Sequence, residues 1–430
     1  MKVNYDEAIK VLLDNVNRID IEEVGLEESY GRVIAEKVVA EENVPPFSRS
    51  PYDGYAFRAE DTFGVGDISF ISSNSMENSD LEKVDSEKEF GSRADTKGVR
   101  LQVIENIRAG QTTTKSVTPG TAIRLMTGAP MPDGADAICK YEDTDFTDTE
   151  VVIKKSYKPG ENVIYAGEDI KKGQILAEEG TVIDAGLAGT LASLGKSKVK
   201  VFKKVRAGII STGDEVAEVD EELREGQIRN SNRYTISAAL LKYNTKPVYL
   251  GHVNDDENSI VDAIEKGLTE CDVLISTGGV SVGDYDLVIS AMEKAGFKVL
   301  ADGVRIKPGM ASAYGVRDGK LMLALSGNPA SSLTNLQCIC MPALRKMAGY
   351  KAADHQLIEM KLSHDFKNKN GNVRLIRGKL SLRGGEVFVD FNSSQGNVVI
   401  SSAIGCDAYA IIPAEAGLLT AGELVAGIIV

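Results

Sequence analysis

Tryptophan is absent from the 430 residues, and histidine is nearly so, with only His252, His355 and His364 far apart along the chain. Three scattered histidines argue against a histidine-built metal site or a Ser-His-Asp triad. Chemistry must therefore rest on carboxylates, Lys, Arg, Ser, Thr and backbone amides. The five cysteines (Cys139, Cys271, Cys338, Cys340, Cys406) are odd in number and match no zinc or redox spacing, so a reducing, cytoplasmic setting is expected. Positive charge is also short. Against 63 Asp and Glu stand 49 Lys and Arg, a net charge of −14, and no basic stripe is visible, which argues against nucleic acid as the main partner. A small anionic ligand needs only a local cradle and is not excluded. The opening MKVNYDEAIK has no apolar signal core, and no apolar run is long enough to cross a bilayer, so no membrane role is expected.

What is present is a length suited to two to four domains, with 43% hydrophobic and 26% charged residues, the balance of a globular chain. Ala8, Ile9, Leu12, Leu13 and Val16 fall on one helical face near the start. Residues 44–57, VPPFSRSPYDGYAF, form a proline- and aromatic-rich loop around the turn Asp53-Gly54. Residues 72–97 turn polar, acidic and low in complexity, which reads as a long surface loop interrupting a β-rich segment. In TAIRLMTGAPMPDG (121–134), Arg124 and Thr127 sit where they could hold an anion, and Glu168 and Asp169 lie in a glycine-bounded turn. From Arg206, strand-length apolar runs at 207–211, 247–253, 272–276, 298–301 and 321–325 alternate with helical patterns at 235–243, 258–268, 287–295 and 329–348. That alternation predicts an open, mostly parallel α/β sheet with ligands at the carboxyl ends of its strands. Beyond Tyr350 come short strand-like runs at 356–362, 373–382, 386–390, 398–400, 409–412 and 424–430, suiting a small β-barrel or sandwich.

Three strand ends in the α/β region repeat one chemistry. Residues 207–211 run into Thr212-Gly213-Asp214-Glu215. Residues 272–276 run into Thr277-Gly278-Gly279, with Asp284 and Asp286 downstream, and 321–325 run into Ser326-Gly327-Asn328-Pro329. Glycine lets an oxyanion approach the backbone, and a following helix N-terminus adds free N–H groups, with Asn328 as a suitable N-cap and the Ser331 amide facing the same edge. Neighbouring carboxylates do not suit an anion unless a cation such as Mg²⁺ sits between them. Lys307, before Pro308-Gly309, offers a counter-charge, and Asp255 and Asp256 add carboxylates. An ordinary set of strand–turn–helix connections with surface acids is the alternative for any one of these turns. For all three on one sheet edge, a functional cleft is the better reading.

The segments PPFSRSPYDGYAFRAED (45–61), TAIRLMTGAPMPDGADAI (121–138), GEDIKKG (167–173), STGDEV (211–216), GQIRNSNRY (226–234), STGGVSVGDYD (276–286), IKPG (306–309) and SGNPAS (326–331) resemble, in order, the molybdopterin molybdenumtransferase family, the MoeA proteins and the E domain of gephyrin. The resemblance implies a multidomain α/β protein. Its parts would be a discontinuous linker domain (1–55 and 140–178), a β-rich inserted domain (56–139), a molybdopterin-binding, mostly parallel α/β domain (179–348) and a C-terminal small β-barrel (349–430). It implies insertion of molybdate into adenylylated molybdopterin with release of AMP, Mg²⁺ as the cation, and a homodimer in which one chain's barrel covers the other's α/β domain. The molybdopterin adenylyltransferase is a further partner it suggests. By motif, Asp53, Thr127, Asp169, Asp214, Glu215 and Asp286 would be catalytic, and Asp214, Glu215, Asp255 and Asp286 would hold the metal. Thr212, Gly213, Asn232, Thr277, Gly278, Gly279, Ser281, Lys307, Ser326, Gly327, Asn328 and Arg377 would bind the cofactor substrate, with Arg377 joined in the barrel by the 395–397 turn.

Three departures bear on that expectation. Met310 stands where the family usually has a basic residue after KPG, Ser326 where it has a proline before GNP, and Gly303 where some members have a lysine. Less positive charge there keeps a tungstate-preferring paralogue open. The related molybdopterin adenylyltransferase, which shares the α/β domain, and a non-catalytic molybdopterin-binding scaffold also stay open.

Overall fold

The computed structural model describes residues 2–66, 98–279, 287–368, 371–392 and 394–430. The acidic segment 72–97, together with Ser281, Asp284 and Asp286, lies outside the described residues. The chain divides into two compact units, Val39–Leu176 and a second made of Met1–Val38 with Ala177–Val430.

The first unit is built on a six-stranded sheet in the order Ala137–Lys140, Gly54–Phe57, Thr121–Leu125, Val99–Ile107, Glu150–Ile153, Thr144–Phe146. Side chains alternate across a strand, so Tyr55 and Phe57 enter one apolar cluster with Leu101, Val151 and Tyr157, while Ala56 enters another with Ile123, Leu125 and Ile138. Both faces are thereby covered, which is why all four residues of Gly54–Phe57 are buried. Gly54 has no substitute here, because a Cβ would lie 2.1 Å from the Cys139 carbonyl oxygen of the neighbouring strand.

The second unit centres on another six-stranded sheet, ordered Thr245–Val253, Val205–Thr212, Val273–Thr277, Lys320–Leu325, Ser312–Arg317, Lys298–Asp302. The first four strands run parallel, as expected from the strand–helix alternation. Ser312–Arg317 is antiparallel to both neighbours and is a strand that the alternation does not reveal. Asp318 and Gly319, at φ 52 and 77, form the hairpin turn that joins it to Lys320–Leu325, and this Asp-Gly pair was a legible signal. Val273–Thr277 is buried on both faces along all five residues. Helices Ser231–Leu241 and Pro329–Met347 cover one face through Ile236, Leu240, Leu333 and Leu336. Glu257–Glu270 and Leu287–Lys294 cover the other through Ile260, Ile264, Val288 and Met292.

The long helix expected over 329–348 is interrupted by a π-turn, Leu336–Cys340. Pro342 lacks an N–H, so the Cys338 carbonyl has no helical partner four residues on. Two other groups take that oxygen: the Tyr5 hydroxyl donates to it at 3.2 Å and His355 Nε2 at 3.0 Å. The N-terminal helix Tyr5–Asp14 thereby packs its buried face, Tyr5, Ala8 and Leu12, into the same core.

Residues after Tyr350 form the expected small barrel. Val373–Arg383 pairs with Glu386–Asp390 and also with Ala408–Ile412, and Leu357–Leu362 and Leu424–Ile429 complete the five-stranded closure. The strand expected at 398–400 is instead the entry to a 3₁₀ turn, Ile400–Ala403. The barrel packs on the α/β domain of its own chain. Ile306–Lys307 pairs with Val373–Arg374, Leu375 and Tyr409 share the α/β core, and the Tyr409 hydroxyl donates to Gln337 Oε1 at 2.7 Å.

Candidate functional site

Register fixes where the three strand ends meet. Ser211 pairs with Thr277, and Thr277 with Leu325, so the turns after all three strands emerge on one sheet edge. The turns also touch. Gly278 N–H donates to the Leu325 carbonyl at 3.1 Å, and a Cβ on Gly327 would stand 3.4 Å from Gly278 Cα. Gly278 has φ +103, and a Cβ there would fall 2.5 Å from the Thr212 carbonyl oxygen, so glycine is required twice over. Facing these glycines is the Thr212 hydroxyl, 2% exposed and without a hydrogen-bond partner among the described residues. A buried hydroxyl left unbonded is costly, and here it lies against the glycine turn where a ligand oxygen could satisfy it.

Around this cradle the polar groups divide into those already engaged and those still open. Asn232 Nδ2 donates to the Gly327 carbonyl at 2.8 Å and its Oδ1 accepts from Ser332 Oγ at 3.3 Å, so Asn232 pins the Ser-Gly-Asn-Pro turn. Ser326, in the place of a rigid proline, accepts from Asn328 N–H at 3.3 Å and holds the same turn with a hydrogen bond. Asn328 does not cap the helix with its side chain. The amides of Ala330 and Ser331 instead donate to the Asn397 carbonyl at 3.1 and 3.2 Å, so these helix N-terminal donors are filled by the barrel and the expectation of a free Ser331 amide is corrected. A cavity of about 40 Å³ among Thr212, Glu215, Asn230, Asn232, Thr277 and Gly327 has room for a few waters, and a larger ligand must lie outside it on the open edge.

The acidic rim comes from Asp214 and Glu215, both exposed, with Asp255 opposite. Asp255 N–H donates to Asp214 Oδ1 at 3.2 Å, and His252 Nε2 donates to the Gly213 carbonyl at 2.8 Å. Partial burial, and then the facing Asp214 and Glu215 carboxylates, push the Asp255 carboxyl up. Such crowding of like charge is what a divalent cation relieves, and carboxylate oxygens are the donors Mg²⁺ prefers. Among the described residues, no three His, Cys, Asp or Glu side chains are grouped closely enough to hold a metal ion, so these three acids fit the cation only as part of a set. Asp256 caps Glu257–Glu270 by accepting from Ser259 N–H at 2.9 Å, the plain structural role.

Beneath the rim is a polar network that sequence reasoning missed, although its Asn230 and Arg233 fall in the GQIRNSNRY segment. Glu218 accepts from Tyr249 at 2.6 Å, Asn230 at 3.0 Å and Arg233 at 2.8 Å. Burial alone would raise the Glu218 carboxyl, but those donors hold it below its ordinary range.

Lys307 is half-buried beside Arg374 in register, and its turn packs on the helix Pro329–Asn335, where Asn335 Nδ2 donates to the Gly309 carbonyl at 3.2 Å. Arg377 is fully buried. Its guanidinium donates to Ser402 Oγ at 2.8 Å, Thr334 Oγ1 at 3.2 Å and the Gly396 carbonyl at 3.2 Å, so it joins the barrel turn to the α/β helix from an enclosed position.

In the other unit, Asp53 and Thr127 are brought together. Asp53 Oδ1 accepts from the Thr127 amide at 2.6 Å and from its hydroxyl at 2.7 Å, and these two bonds hold the Asp53 carboxyl below its ordinary range. Both line an open cavity of about 570 Å³ with Tyr52, Lys140, Glu142 and Asp143, and Lys140 Nζ lies 4.3 Å from the centre of the Tyr52 ring. Asp169 is exposed on the 160–173 turn, outside that lining, with its N–H on the Val44 carbonyl at 3.1 Å. Arg124 stacks over Tyr141 at 4.8 Å.

Residues 3–195 match the family model of the MoeA N-terminal region (domain I and II), 208–346 that of a probable molybdopterin binding domain, and 359–429 that of the MoeA C-terminal region (domain IV). The chain is 34% identical over 426 residues to a Staphylococcus epidermidis protein named molybdopterin molybdenumtransferase, covering 98% of this chain and 94% of the relative. A Bacillus subtilis protein of the same name is 31% identical over 415 residues, covering 96% and 90%. Among solved structures, the molybdopterin biosynthesis MoeA protein of Pyrococcus horikoshii OT3 superposes with a TM-score of 0.80 at 30% identity and full coverage of both chains.

Proposed function

The chain belongs to the MoeA family of molybdopterin molybdenumtransferases, enzymes of molybdenum cofactor biosynthesis, and from that premise we propose that it inserts molybdate into adenylylated molybdopterin and releases AMP. The observation that carries this reading is the junction of three glycine turns on one sheet edge, with the buried, unbonded Thr212 hydroxyl facing them and an acidic rim beside them.

In this reading the phosphate groups of the substrate lie against Gly278, Gly279 and Gly327, where no Cβ blocks the backbone, and Thr212 donates to a phosphate oxygen. Thr277 and Gly213 shape the floor, and Asn232 and Ser326 hold the third turn in place. Asp214, Glu215 and Asp255 would hold Mg²⁺, completed by Asp286, and Ser281 would join the substrate contacts; Asp286 and Ser281 lie outside the described residues. When bound, the cation neutralises charge on the phosphates as the bond to AMP breaks. Lys307 contributes fixed positive charge toward the oxyanion. Asp53, held ionised and aimed by Thr127, and Asp169 carry the catalytic roles that their motifs imply. Arg377 serves the cleft from behind, through the 395–397 turn. The enzyme works as a cytoplasmic homodimer, taking its substrate from the molybdopterin adenylyltransferase.

The test uses pure full-length protein with adenylylated molybdopterin, Mg²⁺ and molybdate or tungstate. AMP release that requires the oxyanion supports the reading, and the ratio of the two rates gives the preferred metal. Substrate binding without AMP release would replace it with a scaffold role. ATP-dependent adenylylation of plain molybdopterin would replace it with the adenylyltransferase.

A further inference from the structure

We propose that Glu218 is a positioning residue: its carboxylate clasps the exit of the turn that carries Asp214 and Glu215 and holds those acids in place for a divalent cation. The cation itself rests on the molybdate-inserting reading.

Apolar burial does little to fix that turn. Between Asp214 and Arg229 only Ala217 is buried, and most of the segment is exposed. Asp214, Glu215 and Asp255 gather like charge in one place, which works to spread the turn until a cation arrives. Backbone bonds supply a partial hold. Val216–Ala217 pairs parallel with Ile228–Arg229, Ile228 N–H donates to the Glu215 carbonyl at 2.8 Å, and Asn230 N–H donates to the Ala217 carbonyl at 2.8 Å. A two-stranded ladder this short is marginal by itself.

The Glu218 side chain completes the hold. Oε1 accepts from the Tyr249 hydroxyl at 2.6 Å and from Asn230 Nδ2 at 3.0 Å, and Oε2 accepts from Arg233 Nη1 at 2.8 Å. These donors come from the edge strand Thr245–Val253, the cap residue Asn230 and the helix Ser231–Leu241. Asn230 is the pivot. The same Nδ2 donates to Ser211 Oγ at 3.1 Å, where the turn begins, so one buried amide joins the entry of the turn to its exit. Asn230 Oδ1 also accepts from Arg233 N–H at 3.2 Å, and the Arg233 guanidinium lies 3.9 Å from the centre of the Tyr249 ring. The donors are therefore fixed by contacts of their own, and a fixed set of donors can hold a carboxylate to one place. Within the turn, a Cβ on Gly213 would fall 2.7 Å from Glu215 Oε2, so the Glu215 carboxylate lies folded over Gly213 and moves with the backbone that the clasp restrains. Glu215 and Asn230 accordingly line the same small cavity.

The test uses the full chain and three substitutions that break the clasp with different changes in charge. Glu218→Gln removes a negative charge, Arg233→Met removes a positive one, and Tyr249→Phe removes none. Mn²⁺ alone, an oxygen-preferring divalent probe, is titrated by electron paramagnetic resonance, and hydrogen exchange at the Ile228 and Asn230 amides is followed on metal-free protein. Positioning predicts faster exchange at both amides and weaker Mn²⁺ binding in all three variants. The loss should be about tenfold in Glu218→Gln and Arg233→Met. It should be about two- to fivefold in Tyr249→Phe, which keeps the other donors to Glu218. The Mg²⁺ concentration for half-maximal AMP release should rise by the same factors. Urea midpoints measured in parallel identify a variant that is unfolded, and Tyr249→Phe, which removes only a hydroxyl, keeps the comparison open. A plain charge effect would instead strengthen Mn²⁺ binding in Arg233→Met and spare Tyr249→Phe, and that pattern would overturn the proposal. Unchanged Mn²⁺ affinity in all three, or no Mn²⁺ binding by the parent, would also overturn it while leaving molybdate-dependent AMP release intact. Absence of AMP release from the parent, with Mn²⁺ binding that still follows the clasp, would sink the proposed reaction and keep the role of Glu218.

Discussion

His355 should make the second unit acid-sensitive in a window that can be assigned to one residue. Its Nε2–H donates to the Cys338 carbonyl, so Nδ1 is the unprotonated nitrogen and accepts from Arg345 at 2.9 Å. Protonating Nδ1 would set two cations against each other in a largely buried place where Arg345 Nε already lacks a partner among the described residues. Burial, and then the Arg345 charge, lower the imidazole from 6.5 to about 4. Because the folded value is the lower one, the unfolded chain binds more protons between these limits. Stability from this group is therefore full above about pH 6.5 and drains as pH falls toward about 4. At pH 5 the loss is about 2 kcal/mol by linkage, nearer 1.5 kcal/mol after allowing for partial exposure. His355→Gln offers one donor and one acceptor with no titrating proton. Urea unfolding followed by tyrosine near-ultraviolet dichroism, the natural probe in a chain without tryptophan, should show the parent losing about 1–2 kcal/mol more than the variant between pH 7.5 and 5. Identical pH dependence in the two proteins would refute the assignment.

Two further outcomes test the cleft. Gly278→Ala, which forces a Cβ to 2.5 Å from the Thr212 carbonyl at φ +103, should reduce affinity for adenylylated molybdopterin by about tenfold or more while far-ultraviolet dichroism is retained; unaltered binding in titration would remove this turn from the site. Arg377→Met fills much of the volume but leaves the Gly396 carbonyl without its donor, while the Ser402 and Thr334 hydroxyls keep their bonds to the Val399 and Ala330 carbonyls, at a cost of roughly 1–3 kcal/mol. It should speed hydrogen exchange at the Ala330 and Ser331 amides, which the Asn397 carbonyl protects, and unchanged exchange at those amides would show that Arg377 does not hold the turn.

Much of the α/β architecture was legible because the physics there is local. Val273–Thr277 reads as a doubly buried strand by its apolar run, and helix Glu257–Glu270 shows its face in Ile260 and Ile264. Ser312–Arg317 escaped because Gly315, packed against Met292, breaks its pattern. The π-turn escaped because Pro342 acts on a carbonyl four residues earlier. At the site, residue types announced glycine cradles and acids, but not which donors were already spent. Asn232, Ser331 and Arg377 looked available in sequence and are bonded inside the protein, facts that depend on partners up to about a hundred residues away.

The hydrogen bond from Tyr5 to the carbonyl freed by Pro342 spans 333 residues of sequence. A ribosome adds about 5–20 residues per second, so the apolar face of helix Tyr5–Asp14 leaves the exit tunnel tens of seconds before its seat exists. Residues 39–176, contiguous in sequence, acquire all their sheet partners during that wait. The order of synthesis is thus inverted with respect to the order of completion: the first helix made is among the last to find its place, and a chain cut short before the π-turn leaves that helix uncovered.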